Sequence, residues 1–214
     1  MAETESARRD AYRRSARLYD RFIEPLNAGV KDVALKVDPP QSGWAVLDVG
    51  CGTGTGLARY RDAGCRVSGI DVSPAMLAQA RERLGADADL RLTTGEDLPF
   101  ATDAFDLVTI SMVLHEVPEN KRADLLQEMR RVAKPDGHLL IIDFRFGSLR
   151  GIKGRLVKAL TFVIERFAGH WTGYRSFRRA GGFPALAAAS GLVIGREKIV
   201  SGGSIAIYVT EEAR

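Results

Sequence analysis

The sequence predicts an α/β fold: a doubly wound, mostly parallel seven-stranded sheet with a C-terminal antiparallel hairpin. Three observations carry that expectation. Between residues 44 and 144, short apolar runs alternate with segments of helical character, the pattern of a parallel sheet covered by helices. The first run ends in a carboxylate and a glycine-rich loop, Val46-Leu-Asp-Val-Gly-Cys-Gly-Thr-Gly-Thr-Gly56. The last two runs flank Ser201-Gly202-Gly203, a connection short enough only for antiparallel neighbours.

The elements follow in order. Residues 7–37 read as helical, interrupted near Pro25, and Asp38-Pro39-Pro40 closes that arm. Residues 44–49 form a buried strand. A helix over 55–63 is ended by Gly64, where a left-handed residue is expected. Residues 66–71 make the second strand. Ser73 as N-cap and Pro74 at the first helical position open the next helix, which stops at Gly85. Strands three and four fall at 90–93 and 105–111. A helix over 121–133 is stopped by Lys134-Pro135-Asp136-Gly137, and strand five covers 138–144. A helix around 177–190 precedes the hairpin strands at 192–200 and 204–210. The expected organisation is one domain over 1–214: a helical lid arm at 1–40, a ligand-binding core at 44–144, a helical lid or substrate region at 145–190 and the hairpin at 192–210.

Composition narrows the setting. A chain of 214 residues is large enough to bury a sizeable core, and its apolar content is that of a soluble globular protein. A net charge of +4 permits an anionic partner without arguing for one. Two cysteines, Cys51 and Cys65, suit neither a disulfide framework nor a metal site, so no metal is expected and a reducing cytoplasm is the expected location. The first ten residues lack an apolar stretch, and no run reaches the roughly 18 apolar residues of a spanning helix.

The glycine loop is where the ligand chemistry begins. Bare backbone there can approach a nucleotide-like ligand closely. The dinucleotide fingerprint requires glycine at 50, 52 and 55, or at 52, 54 and 57, but position 55 is Thr and position 57 is Leu. The loop reads G-x-G-x-G instead, which points away from nicotinamide cofactors.

At this level the chain resembles the class I S-adenosylmethionine (SAM)-dependent methyltransferases, with their Rossmann-like fold, and in particular the UbiE-like, type 11 branch. Five segments carry the likeness, in order: Leu-Asp-Val-Gly-Cys-Gly-Thr-Gly at 47–54, Gly-Ile-Asp-Val-Ser-Pro-Ala-Met at 69–76, Gly-Glu-Asp-Leu-Pro-Phe at 95–100, Phe-Asp-Leu-Val at 105–108 and Arg-Val-Ala-Lys-Pro-Asp-Gly at 131–137. The likeness spans roughly residues 44–144, and the terminal hairpin fits it too. It implies SAM as cofactor, with S-adenosylhomocysteine (SAH) as product. Gly50, Gly52 and Gly54 would contact the methionine portion. Asp48 would anchor either the loop or the cofactor's amino group. Asp71, at the end of strand two, would accept hydrogen bonds from the ribose hydroxyls. Val72 and Met76 would pack on adenine, although Met76 is equally well a core residue, and Asp97 or Glu96 would receive the adenine amino group. Ser111 would lie beside the methionine moiety.

The acceptor side is less defined. Ser111-Met-Val-Leu-His-Glu-Val-Pro118 lacks the Asn/Asp-Pro-Pro-aromatic run of base-methylating enzymes, and aromatic residues do not alternate with basic ones, so nucleic acid is not the expected partner. His115 is the candidate general base and Glu116 a candidate substrate contact, against the plainer reading that His115 packs in the loop and Glu116 pairs with an arginine. Tyr12 and Tyr19 on the arm, with Trp171 and Tyr174, are candidate lid or pocket residues, or else dock the arm or form a hinge. Leu156, Val157, Leu160, Val163, Ile164 and Phe167 form an apolar stripe flanked by Lys153, Arg155, Lys158 and Arg166, expected to be a lid or dimer contact, with peripheral membrane contact through 153–167 as the alternative. The expected function is in-line transfer of a methyl group to a small-molecule or lipid-like acceptor. The alternative is a SAM-binding protein without transfer activity, a sensor or partner subunit.

Overall fold

The computed structural model describes residues 24–95, 97–149, 151, 154–155 and 171–211. Tyr12, Tyr19, Glu96, Lys153 and the stripe from Leu156 to Phe167 lie outside the described residues. Seven strands form one sheet: β1 (Ala45–Val49), β2 (Arg66–Asp71), β3 (Asp89–Leu92), β4 (Phe105–Ser111), β5 (Ala133–Phe144), β6 (Ile194–Val200) and β7 (Ile205–Thr210), in spatial order β3-β2-β1-β4-β5-β7-β6. The first five are parallel, and β7 runs antiparallel between β5 and β6. This is the doubly wound sheet with a terminal hairpin that the sequence predicts.

Because every strand of the middle is covered on both faces, its residues are apolar on both parities. Leu47, Val49 and Ile110 point into one core and Val46, Leu107 and Leu140 into the other. On the second face lie α1 (Glu24–Val37), α2 (Thr55–Asp62) and α3 (Pro74–Leu84), anchored by Ala34, Leu57 and Leu77. On the first lie α4 (Arg122–Val132) and α6 (Gly182–Ala189), anchored by Leu126, Met129 and Phe183. The helix α5 (Trp171–Arg179) sits over the carboxyl edge, with Phe177 in one core and Tyr174 in the other. Replacing a side chain as buried as Leu47 by alanine would cost about 2–5 kcal/mol.

Ser73 caps α3 as its sequence implies, its side chain accepting the Met76 N–H at 3.3 Å with Pro74 in the first turn. Gly64, at φ 86°, ends the α2 segment as expected. Two expectations fail. The single helix over 177–190 is two helices, because Gly181 and Gly182 both take positive φ and break it. The stop at Lys134–Gly137 is an irregularity inside β5: the register jumps between Phe105 and Leu107, and an added Cβ on Gly137 would lie 2.8 Å from the Phe105 carbonyl. Glycine there lets the chain bulge while staying in the sheet. Among the described residues, no helix is long and apolar enough to cross a membrane.

Candidate active site

The strand order reverses between β1 and β4, so the crevice beyond their carboxyl ends is the natural ligand site. Two loops flank it. The first follows β1, where Gly50, Gly52 and Gly54 all have φ between 54° and 77°. Any other residue would be strained there, and at Gly50 a Cβ would also strike Val113 at 2.6 Å. At Gly52 a Cβ would meet nothing within 4 Å, so the bare backbone faces open space, which is the cradle a nucleoside ligand needs. The second loop leaves β4 through Met112, a non-glycine residue at φ 57°, whose N–H is held by the Ile142 carbonyl at 2.8 Å. That left-handed residue swings Val113 back over Gly50.

Asp71 joins the first loop to β2. Its Oδ2 accepts the Gly52 N–H at 2.8 Å and its Oδ1 the Ser73 N–H at 2.8 Å. A carboxylate offers four lone-pair positions, so these bonds leave room for a ligand hydroxyl. Burial pushes the Asp71 carboxyl above its usual range; backbone N–H bonds from Ser73, Gly52 and Val72 act against this, and the nearby charge of Glu116 adds to it.

Asp48 is buried inside the sheet end rather than in the loop. It is paired in register with Thr109 on β4, whose hydroxyl donates to Asp48 Oδ1 at 2.7 Å. Burial, then the charges of Asp48 and Asp71, pushes the Cys51 thiol far above its usual range, so Cys51 packs and does not react. Acidic groups dominate the crevice, and a cationic ligand suits them.

The remaining predicted residues distribute as follows. Val72 is 45% exposed at the mouth of the crevice, and a Cβ on Gly95 would touch it at 3.7 Å, making an apolar shelf. Met76 is only 4% exposed, in the core beneath that shelf. Asp97 is exposed, in a turn closed by Thr93, whose hydroxyl donates to the Asp97 carbonyl at 3.3 Å and accepts the Gly95 N–H at 3.0 Å. Ser111 is half-buried at the end of β4 and lines a small cavity with Lys31, Asp48, Gly56 and Arg59.

His115 is 1% exposed, with its ring tilted against Phe144 at 4.6 Å. Its Nδ1 lies 2.8 Å from Asp143 Oδ1 and its Nε2 3.9 Å from Glu116 Oε1. Trp171 and Tyr174 belong to α5; their rings stack at 5.6 Å, and Tyr174 meets Phe144 edge-on at 5.2 Å. The pair thus covers the His115 loop from above.

Sequence reading passed over four residues here: Lys31, Thr109, Arg122 and Asp143. Lys31 donates to the Thr55 hydroxyl at 2.7 Å, beside the glycine loop. No motif marks Lys31 or Arg122. Thr109 and Asp143 had a signal, since each is a polar residue inside an otherwise apolar buried strand, Thr109 in β4 and Asp143 in β5.

A family model described as a methyltransferase domain matches residues 47–141. The chain is 40% identical over 136 residues to a demethylmenaquinone methyltransferase of Renibacterium salmoninarum, covering 62% of this chain and 56% of that protein. It is 36% identical over 169 residues to a malonyl-[acyl-carrier protein] O-methyltransferase of Erwinia pyrifoliae, covering 74% of this chain and 63% of that one. The chain thus spans little more than half the length of the first of these relatives. In fold it is similar to a Haloferax volcanii putative methyltransferase solved with the Trm112 methyltransferase activator, with a TM-score of 0.69 at 18% identity over 95% of this chain and 97% of that one.

Proposed function

We propose that this chain, whose residues 47–141 match a methyltransferase-domain model, is a class I SAM-dependent methyltransferase of the UbiE-like, type 11 kind that transfers a methyl group to a small-molecule or lipophilic acceptor. The observation that carries this reading is the glycine cradle at Gly52, tied to Asp71 and set in an acidic crevice at the β1/β4 switch point. SAM, when bound, supplies a methyl carbon activated by a cationic sulfur.

The chain's own residues bind and orient. Gly50, Gly52 and Gly54 admit the ligand to the backbone, and the open lone pairs of Asp71 take the ribose hydroxyls. Val72 is the apolar shelf for the adenine ring, and Asp97, with Glu96, is its polar edge. Asp48 anchors the loop or the cofactor's amino group, Glu116 contacts the substrate, and Ser111 closes the methionine end. Because the sulfonium already activates the carbon, the protein's remaining work is alignment and exclusion of water. His115 takes the proton from an acceptor that arrives with one. Trp171 and Tyr174 line the acceptor side, and Tyr12 and Tyr19 are further candidates for lid residues. The two relatives are named for demethylmenaquinone and for malonyl-[acyl-carrier protein], and the first of these substrates suits an apolar, aromatic-walled space.

The test is incubation with methyl-labelled SAM and a cell extract, alongside reduced demethylmenaquinone as a defined acceptor. Label is expected in a small organic-soluble product. Tight SAM binding with no labelled product would instead leave a binding protein without transfer. Residues 153–167 form the contact to a lipid surface or a second copy within this reading. Co-sedimentation with anionic vesicles, comparing Lys153, Arg155 and Lys158 changed to Glu, tests the first, and sedimentation equilibrium tests the second. A single domain acting in the cytoplasm completes the proposal.

A further inference from the structure

Arg122, the first residue of α4, is 1% exposed, and the binding of the cofactor makes no direct use of it. Its guanidinium is held by carbonyls and a hydroxyl. Nε donates to the Leu114 and Val117 carbonyls at 3.2 and 2.9 Å, and Nη2 to the His115 carbonyl at 3.3 Å. The same Nη2 reaches the Gly173 carbonyl at 3.1 Å and the Ser176 hydroxyl at 2.8 Å, both in α5. The guanidinium carbon also lies 5.1 Å from the ring centre of Phe177 in that helix. Nη1 is buried and, among the described residues, has no hydrogen-bond partner. A buried cation with an open N–H is costly, so what the side chain contributes is geometric: one rigid fork spans a loop and a helix.

The loop it grips is one hydrogen-bonded unit. The Glu116 and Val117 N–H groups both close on the Val113 carbonyl, at 2.9 and 3.3 Å, which makes a single turn of residues 113–117. On one side of that turn, Val113 covers Gly50, where an added Cβ would lie 2.6 Å from its side chain. On the other side sits α5, so close that a Cβ on Gly173 would lie 2.6 Å from the His115 carbonyl. Trp171 and Tyr174, stacked at 5.6 Å, flank Gly173 in the same turn of that helix. A continuous path of contact therefore runs from Gly50 through Val113, the turn and Arg122 to the aromatic pair.

We propose that Arg122 is a positioning residue that couples the glycine cradle to the aromatic wall on the acceptor side. The inference rests on the SAM-binding part of the proposed function. A cofactor that fixes Gly50 and Gly52 favours the seat of Val113 over Gly50. The Arg122 fork passes that preference to α5, because loop and helix share its Nη2. Trp171 and Tyr174 are then set before the acceptor arrives, and SAM binds ahead of it. The coupling is reciprocal: a seated α5 tightens the hold on the cofactor by the same factor.

Tryptophan fluorescence of the full chain tests the coupling, with SAH as the probe. The sequence holds two tryptophans, so Trp44→Phe leaves Trp171 as the sole reporter, at the start of α5. In that background SAH should change the Trp171 emission with the midpoint that calorimetry gives for SAH binding. Arg122→Lys keeps the charge, but a single ammonium cannot span loop and helix. With it added, the Trp171 response at saturating SAH should shrink about fivefold and SAH affinity should weaken about tenfold. A lower Tm with both quantities unchanged marks a merely structural arginine and overturns the proposal. A Trp171 emission indifferent to SAH, while calorimetry shows binding to the same protein, overturns it as well. Ser176→Ala removes one bond of the latch and serves if Arg122→Lys does not fold: a smaller Trp171 response is expected, and an unchanged one overturns the proposal. If calorimetry shows neither SAM nor SAH binding to the wild-type protein, the cofactor reading itself falls and takes this proposal with it.

Discussion

Strand β5 carries an imidazole–carboxylate pair near each end, and the two pairs are built for different ends. At the amino end, His138 Nε2 lies 2.6 Å from Asp38 Oδ2, and Arg196 Nη2 lies 2.6 Å from Asp38 Oδ1. Burial pushes the Asp38 carboxyl up, but the hydrogen bonds and charges of His138 and Arg196 outweigh it and hold the carboxyl below its usual range. Every strong acceptor site there is taken by a cation or an imidazole, and Arg196 also ties the Val37 carbonyl at 2.5 Å. The pair clamps the end of α1 to β5 and β6. At the carboxyl end, Asp143 meets two backbone N–H groups and one imidazole, whose far nitrogen is buried 3.9 Å from the Glu116 carboxylate. The same two residue types thus make a closed fastener in one place and a candidate proton acceptor in the other. What differs is whether a guanidinium completes the carboxylate.

Substitutions can break that contrast. The largest effect is expected from Asp38→Asn, which leaves Arg196 and His138 without their carboxylate. Removing one partner of a buried pair costs about 3–5 kcal/mol. In a chain of this size that lowers Tm by roughly 10 °C, read by calorimetry, with SAM affinity unchanged. Cofactor affinity falling in step with Tm would erase the distinction between the two ends. Asp71→Ala should do the reverse. If Asp71 holds the ribose as proposed, losing those charge-assisted bonds lowers SAM affinity about 100-fold, and titration calorimetry should show it, while the melting midpoint moves far less.

Gly173→Ala sharpens the carboxyl-end half of the comparison. The added methyl meets the His115 carbonyl, so α5 must lift, at about 1–3 kcal/mol. Hydrogen exchange should rise in α5 and in the His115 loop, and not around Asp38. The smallest effect is on pH. The stability from Asp38 is complete above the ordinary carboxylate value of 3.8 and is lost as pH falls through its lower folded value. Acid unfolding followed by circular dichroism should therefore lose a pH-dependent component in Asp38→Asn. Identical acid curves for the two proteins would show that the fastener adds nothing.

Legibility in the sequence followed the range of the forces involved. The strands and the caps of α2 and α3 were legible because periodicity, Ser73-Pro74 and the glycines at 64 and 85 act within a few residues. The glycine loop and Asp71 were legible because the loop needs positive φ at fixed spacing. What Asp71 does in the folded chain was not, since its bond to the Gly52 N–H joins the ends of two strands. Asp143 and Arg122 escaped because their partners lie 28 and up to 54 residues away. The bulge at Gly137 looked like a helix stop, since glycine and proline punctuate both.

By itself, then, the sequence determined the doubly wound sheet, the hairpin and the glycine loop that rejects a dinucleotide. Those depend on local conformation and on which residues cannot be exposed. Only the tertiary structure decided that His115 is held by Asp143 and roofed by α5, and that His138 is locked by Asp38 and Arg196. A histidine's role depends on which groups meet its two nitrogens, and the packing of strands distant in the chain supplies those groups.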